Sequence, residues 1–247
     1  MQSDLPLLIL ADMPQDFALT ELTLSKEAPA VIDLAPAQIQ NLDRVSAITS
    51  GMTFDLVRCS SDEVAENLAV PGLQHIFCEP PQKPLSGIAI APAEHISAAK
   101  SDGTINRALL DLARHVGHAI KASSIIWRPA QLHIGFDYFV GAIDHYIAGG
   151  PFPVLAQIAI SETPDGKMQT SGLSYFAGQE ICISAPADYA ANDVAKRLVR
   201  IAHEIATNGK VEEETVINGF TAGERLSIVP DESGQIVEIA ITAHGPR

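Results

Sequence analysis

Aromatic residues, basic residues and long apolar runs are all scarce in this 247-residue sequence. Aromatic residues make up 5 % of the chain, with one tryptophan, whereas 47 % of the residues are hydrophobic, so the sequence predicts a mainly aliphatic core. No apolar run approaches the roughly 20 residues that a membrane-spanning helix needs. These proportions favour a folded globular chain and disfavour a transmembrane one.

Basic residues number 16 against 30 acidic ones, which gives a net charge of −14. A surface of this sign repels nucleic-acid phosphates and anionic lipid headgroups. We therefore expect no nucleic-acid partner and no membrane partner. A protein partner would be favoured electrostatically if its surface were basic.

Cysteine occurs at three distant positions and never in a Cys-x-x-Cys pair; these are Cys59, Cys78 and Cys182. An odd number without close spacing predicts buried free thiols in a reducing compartment. The apolar segment LPLLILA has no basic residue before it and no small-residue cleavage site after it, so it predicts a first strand rather than a signal peptide. The protein is thus predicted to be cytoplasmic.

The sequence also lacks complete catalytic and cofactor motifs. The segment HEIAT at 203–207 begins like a zinc-protease helix, but Thr207 occupies the place of the second histidine. In SGLSYFAG, Phe176 stands where a nucleophile elbow requires glycine. Neither a Gly-x-x-x-x-Gly-Lys nor a Gly-x-Gly-x-x-Gly motif is present. The sequence therefore predicts no catalytic residues, no metal ligands and no cofactor.

Helical periodicity of apolar residues predicts helices over 35–51, 104–123, 136–148 and 191–209. The weakest of these rests on a three-residue spacing of Ile39, Leu42, Val45 and Ile48. The strongest two have longer stripes, formed by Ile105, Leu109, Leu112, Val116 and Ile120 and by Val194, Leu198, Ile201 and Ile205. The third helix is apolar around most of its surface, and Gly149 is predicted to end it in the left-handed conformation.

Strands are predicted at 6–10, 53–60, 87–93, 123–129 and 153–161. Two late hairpins are predicted at the turn segments ETPDGK and PDESGQ. This order predicts an α+β fold whose sheet is mixed or mainly antiparallel, with helices packed on it. A loose likeness between IAIAPAEH…NRALLDLARHVGHAI and ICISAPADY…AKRLVRIAHEI indicates a weak internal strand–helix duplication.

A proline-rich segment, CEPPQKPLSG at 78–87, has the composition of a linker. It predicts an N-terminal α/β part over residues 1–85 and a C-terminal α+β part over 86–247. The two parts are expected to pack closely on each other.

The middle of the chain holds the best candidates for ligand binding, which are Trp127, Arg128, His133, Asp144 and His145. Tryptophan and arginine at the end of a strand can line a pocket, and the arginine can hold an anionic group. The alternative is that the tryptophan closes the core and the arginine pairs with a surface carboxylate. A second cluster is predicted to form a solvated, charge-paired helix face rather than a metal site; it comprises Asp111, Arg114, His115 and His118.

Several segments of the C-terminal half carry a family resemblance: HAIKASSIIWRPA, PFPVLAQIAI, TSGLSYFAGQEICI and TVINGFTAGERLSI. Together they resemble a bacterial family known as domain of unknown function 4261, over roughly residues 105–230. The resemblance implies an α+β fold. It carries over no activity and no catalytic residues.

The sequence favours a non-enzymatic cytoplasmic binding or interaction protein, whose ligand is a protein or a small molecule. The alternative is a small-molecule enzyme with a site near Trp127, Arg128 and His145. The sequence does not specify an oligomeric state.

Overall fold

The structure is a computed structural model that describes residues 5–14, 16–25, 28, 30–33, 43–186 and 188–243. The chain divides into two compact units, Met1–Pro151 and Phe152–Arg247. The predicted boundary at residue 85 lies inside the first unit, because strands on both sides of the proline-rich segment belong to one sheet. The division falls instead after Pro151, two residues beyond Gly149, which has the predicted left-handed conformation with φ 93°.

The first unit contains an eight-stranded sheet. Its strands are β1 (Leu7–Ala11), β2 (Ala30–Asp33), β3 (Arg44–Thr49), β4 (Met52–Cys59), β5 (Gln74–Ile76), β6 (Ser86–Pro92), β7 (Ser124–Trp127) and β8 (Leu132–Gly135). Their spatial order is β2-β3-β4-β6-β1-β7-β8-β5. β5 runs parallel to β8, and the other neighbours run antiparallel. The short strand β5 therefore lies at one edge of the sheet.

Helices and short turns accompany this sheet: α1 (Ser61–Leu68), α2 (Glu94–Ser97), α3 (Gly103–Ala119), α4 (Phe136–Ile147) and 3-10 turns at Leu19–Glu21 and Arg128–Ala130. α3 packs against β1, β4 and β6, and α4 packs against β7 and β8. The stripe predicted for α3 is buried, except that Ile120 is a half-buried C-cap. All five residues of β1 are buried, as expected for a central strand.

The second unit contains a six-stranded sheet and helix α7 (Ala191–Asn208), with the short helices α5 (Val154–Gln157) and α6 (Ser174–Ala177). The strands are β9 (Ala159–Glu162), β10 (Met168–Ser171), β11 (Glu180–Ser184), β12 (Thr215–Asn218), β13 (Glu224–Pro230) and β14 (Ile236–Ala243), in the spatial order β12-β13-β14-β11-β10-β9. β11 and β14 are parallel, and the other neighbours are antiparallel. The predicted stripe of α7 is buried. Both predicted hairpins are present, β9–β10 and β13–β14. The prediction of an α+β fold with mixed, mainly antiparallel sheets is confirmed.

The helix predicted over 35–51 is wrong where the structure describes it. Residues 34–42, including Ile39 and Leu42, lie outside the described residues, and 44–49 form strand β3. Val45 is buried but Ile48 is 40 % exposed, so the two do not share a core-facing side. Pairing of β3 with β4 decides the conformation, and the strand buries Val45, Ala47 and Thr49 in regular alternation, so Ile48 faces the opposite side.

The strand predicted over 153–161 is also corrected. Residues 154–157 form the helical turn α5, and the strand begins only at Ala159. Pro153, with φ −81°, is the N-cap of α5, a position where proline is compatible with a helix start. A segment of four residues, such as 154–157, is too short for its pattern of apolar and polar residues to distinguish a strand from one helical turn.

The two halves of the predicted duplication both form a strand followed by a helix, β6 with α3 and β11 with α7. Their sheet neighbours differ, because β6 lies between two antiparallel strands whereas β11 has the parallel neighbour β14. In the described part of the chain, no helix has a stretch long and apolar enough to cross a membrane.

Candidate metal centre

Three neighbouring strands of the first unit carry polar side chains in a row across the sheet. β7 and β8 are antiparallel with Ile126 opposite His133, so Ser124, two residues from Ile126, faces the same side as His133. β5 and β8 are parallel with His75 opposite His133. The chain turns directly after β5 and brings Cys78 to the same place.

The side chains of His75, Cys78 and His133 converge there, and we refer to them as the His-His-Cys cluster. The Nδ1 atoms of the two histidines are 2.9 Å apart, and Cys78 Sγ is 3.5 Å from His133 Nδ1. All three potential ligand atoms lie within 4.8 Å of one another. On the other side of the ring, His133 Nε2 is 2.8 Å from Ser124 Oγ.

Burial decreases across the cluster toward the edge of the sheet. His133 is 1 % exposed, Cys78 is half-buried and His75 is exposed. The cluster is therefore held from the inside by the core of the first unit and is open to solvent through His75.

The backbone at Phe77, between His75 and Cys78, has an unusual conformation. Phe77 has φ 51°, the left-handed region, and its side chain is 78 % exposed beside the ring of Tyr138, 4.5 Å away. A non-glycine residue in this conformation is held there by its surroundings at a cost of about 1 kcal/mol or more. It turns the chain so that Cys78 Sγ lies 3.3 Å from the His133 carbonyl oxygen, to which the thiol donates.

The turn at Phe77 passes close to Gly135, and a side chain at residue 135 is expected to displace the turn. A Cβ at residue 135 would overlap with the carbonyl oxygen of Phe77. Because a backbone atom cannot move aside cheaply, Gly135→Ala is expected to lower the free energy of unfolding of the first unit by about 1–3 kcal/mol. Gly141→Ala is the matched control, since a Cβ there has nothing within 4 Å and alanine favours the helix. Urea unfolding compares the two, and equal stabilities would contradict the expected overlap.

The protonation states of the cluster suit metal binding. Burial, with a smaller contribution from His75, lowers the pKa of His133 from 6.5 to about 4, so its ring is neutral near pH 7. Burial also raises the pKa of the Cys78 thiol, which therefore carries its proton until a cation replaces it. A neutral imidazole and a thiolate generated on binding are the forms that ligate transition metals.

The spacing of these atoms can be compared with a tetrahedral site. With metal–nitrogen bonds of about 2.0–2.1 Å and metal–sulfur bonds of about 2.3 Å, nitrogen and sulfur ligands are separated by roughly 3.6 Å and two nitrogens by roughly 3.3 Å. The observed 3.5 Å between Cys78 Sγ and His133 Nδ1 agrees with the first value. The Nδ1 atoms of His75 and His133 are 2.9 Å apart, so they would have to move slightly apart to bind one metal ion. His75 has space to move because it is exposed on the edge strand.

The five residues predicted to bind a ligand do not form one site around the cluster. His133 is a member of it, whereas Trp127 is fully buried in the core of the first unit. Arg128 donates from Nε to Asn67 Oδ1 at 2.8 Å and from Nη1 to the Leu5 carbonyl at 2.7 Å.

The other two predicted residues lie on α4. Asp144 forms an ion pair with Arg114 at 3.1 Å, and His145 is exposed with its ring beside Gly150. Neither contributes a ligand atom to the cluster. Three of the cavities in the described part of the chain, of about 540, 530 and 190 Å³, are lined by residues other than the predicted five.

The charged cluster predicted on α3 is paired as expected. Arg114 contacts Asp111 at 2.7 Å, and His115 Nε2 is 3.4 Å from the same carboxylate. The face is less solvated than predicted, because the side chain of His115 is 11 % exposed and that of Asp111 is 17 % exposed. Burial lowers the pKa of His115, which keeps its ring neutral near pH 7.

Two members of the His-His-Cys cluster were not identified from the sequence. His75 and Cys78 form a His-x-x-Cys pair in the segment HIFC, and both residue types ligate zinc. The sequence instead predicts three buried thiols. In the structure Cys59 is buried, but Cys78 and Cys182 are half-buried. No local signal connects this segment to His133, which is 58 residues away in the sequence.

No protein-family model, no curated protein and no solved structure matches this chain. The resemblance to domain of unknown function 4261 therefore stays a prediction.

Proposed function

We propose that this protein binds one transition-metal ion, with Zn²⁺ the best suited, through His75 Nδ1, Cys78 Sγ and His133 Nδ1. The observation that carries the proposal is the convergence of these three atoms within 4.8 Å at the edge of the eight-stranded sheet. This is a binding function, the class that the sequence favoured, although the sequence predicted no metal ligands.

The chemistry of the donor atoms selects the class of metal. Two imidazole nitrogens and one thiolate suit Zn²⁺ and other borderline or soft ions, whereas Mg²⁺ and Ca²⁺ require oxygen ligands. The exposed position of His75 leaves room for a fourth ligand from solvent.

Binding is the function that the cluster itself supports. A catalytic zinc site adds a general base, commonly a carboxylate, to its open coordination position. Among the described residues, the cluster contains only histidine and cysteine ligand atoms, so we propose no catalytic step. The alternative of an enzyme site near Trp127, Arg128 and His145 gains no support, because the first is packed in the core and the second is hydrogen-bonded to Asn67 and Leu5.

A metal site with a thiolate ligand requires a reduced cysteine. All three cysteines are free, and Cys78 is the one that faces two imidazoles. This agrees with the cytoplasmic location proposed from the sequence, since the cytosol keeps such thiols reduced. The net charge of −14 also attracts cations to the surface as a whole.

Titration of the reduced, metal-free protein with Co²⁺ tests the proposal, because a cobalt–thiolate bond gives a charge-transfer absorption band. The expected result is one Co²⁺ per chain, displaced by an equivalent of Zn²⁺. Cys78→Ser should abolish the band. His133→Ala should weaken Zn²⁺ binding by more than about 100-fold, since losing even a residue that orients a ligand costs 10- to 100-fold.

Cys182→Ser and His145→Ala are the matched controls, because they remove a half-buried thiol and an exposed imidazole from elsewhere. Both should bind Co²⁺ as the unaltered protein does. A band that survives Cys78→Ser, or no uptake at micromolar protein, would refute the proposed function.

A further inference from the structure

We infer that Ser124 is a positioning residue of the metal site: its hydroxyl accepts a hydrogen bond from His133 Nε2 and thereby directs the lone pair of His133 Nδ1 to the metal. This inference rests on the metal-binding function proposed above and adds a residue that is itself no ligand. It also assigns the tautomer of the buried imidazole.

The position of Ser124 follows from the register of the sheet. Ile126 lies opposite His133, so Ser124 is the diagonal neighbour of His133 on the same face. Ser124 Oγ is 2.8 Å from His133 Nε2, a full hydrogen-bond contact. Ser124 is 4 % exposed and His133 is 1 % exposed, so water has little access to either group.

The ring of His133 has two distinct sides. Nδ1 faces the ligand cluster, 2.9 Å from His75 Nδ1 and 3.5 Å from Cys78 Sγ, while Nε2 faces Ser124. A neutral imidazole carries one proton, and the nitrogen that binds a metal must be the one without it. With a metal on Nδ1, the proton is therefore on Nε2.

A buried N–H group needs an acceptor, and the serine hydroxyl supplies one. Serine can also donate, so it tolerates either tautomer in the metal-free protein, but only the Nε2–H form leaves Nδ1 available. Removing the hydroxyl would leave the Nε2–H of the metal-bound state without its partner and free the ring to rotate. Groups that orient ligating histidines in this way affect metal affinity by about 10- to 100-fold.

The test compares three serine variants by competition for Zn²⁺ with a chromophoric chelator. Ser124→Ala is expected to bind Zn²⁺ about 10- to 100-fold more weakly than the unaltered protein. Ser124→Thr keeps the hydroxyl and should restore most of the affinity. Ser123→Ala is the matched control, because that neighbouring hydroxyl points to the Leu10 carbonyl at 3.4 Å, and its affinity should not change.

A spectroscopic readout separates positioning from a general loss of stability. Side-chain ¹⁵N NMR of histidine distinguishes the Nε2–H from the Nδ1–H tautomer. The Zn²⁺ complex of the unaltered protein should show His133 as the Nε2–H form with a slowly exchanging proton. In Ser124→Ala that proton should exchange rapidly, while the resonances of His145 on α4 stay unchanged.

The inference is overturned if Ser124→Ala binds Zn²⁺ as tightly as the unaltered protein, or if His133 in the Zn²⁺ complex carries its proton on Nδ1. If the unaltered protein takes up no metal at all, the proposed function fails. The ¹⁵N resonances of His133, compared between the metal-free protein and metal-free Ser124→Ala, then still decide whether Ser124 holds the ring.

Discussion

Glu224→Gln is expected to lower the free energy of unfolding of the second unit by about 3–5 kcal/mol, the range measured when one partner of a buried ion pair is removed. Glu224 accepts hydrogen bonds from Arg197 Nε at 2.5 Å and from Nη2 at 2.6 Å. The two residues are 2 % and 4 % exposed. Glutamine keeps the shape of the side chain but leaves the guanidinium buried without a countercharge.

Neighbouring groups add hydrogen bonds and ring contacts to this ion pair. Thr221 donates to the Glu224 carboxylate from its hydroxyl at 2.8 Å, and Arg197 Nη1 donates to the Asp193 carbonyl at 2.6 Å. The rings of Tyr189 and Phe220 lie 5.0 and 5.2 Å from the guanidinium carbon. The pair therefore ties α7 to the start of β13.

Two further variants make the prediction specific. Lys196→Ala removes an exposed ion pair with Asp193 on the same helix and should cost less than about 1 kcal/mol. The double variant Arg197→Met with Glu224→Leu replaces both charges by apolar groups and should recover much of the loss. Urea unfolding followed by far-UV circular dichroism measures all four proteins, and a loss below about 1 kcal/mol for Glu224→Gln would contradict the role of the pair.

The same pair predicts how stability depends on acid. The pKa of Glu224 is lowered from 4.5 to about 2. The largest cause is the hydrogen bonding from Arg197; burial acts in the opposite direction, and hydrogen bonds from Thr221 lower the pKa further. Because the folded pKa is below the unfolded one, the stabilisation is complete above about pH 4.5 and is lost as the pH falls toward 2. The stability difference between the unaltered protein and Glu224→Gln should shrink over this window.

Zinc is expected to raise the free energy of unfolding of the first unit by about 4 kcal/mol when free Zn²⁺ is 1,000-fold above its dissociation constant. The unfolded chain does not hold His75 and His133 together, because they are 58 residues apart in sequence. Binding energy gained only in the folded state therefore appears as stability. In Cys78→Ser the Zn²⁺-dependent increase should be absent.

The single tryptophan provides the measurement. Trp127 is fully buried in the first unit, so its fluorescence during urea unfolding reports on that unit. Cys182→Ser, in the second unit, should keep the full Zn²⁺-dependent increase. An increase of equal size in Cys78→Ser would show that Zn²⁺ stabilises the protein from another site.

The sequence predicts best those elements whose burial pattern spans several turns or a complete hairpin. The stripes of α3 and α7 and the turns of β9–β10 and β13–β14 were all identified, because their periodicity and turn residues are local. The helical spacing of Val45 and Ile48 predicts a helix for segment 44–49, which is wrong. Its pairing with β4 is a tertiary contact that this spacing does not encode.

The candidate metal centre shows the same division. The chemical types can be read from the sequence: a His-x-x-Cys segment, a later histidine within an apolar strand, and cysteines without disulfide spacing. Their meeting depends on the fold, through the parallel pairing of β5 with β8 and the left-handed turn at Phe77. A metal site requires distances of a few ångströms between residues far apart in the chain, and strand register sets those distances whereas local composition does not.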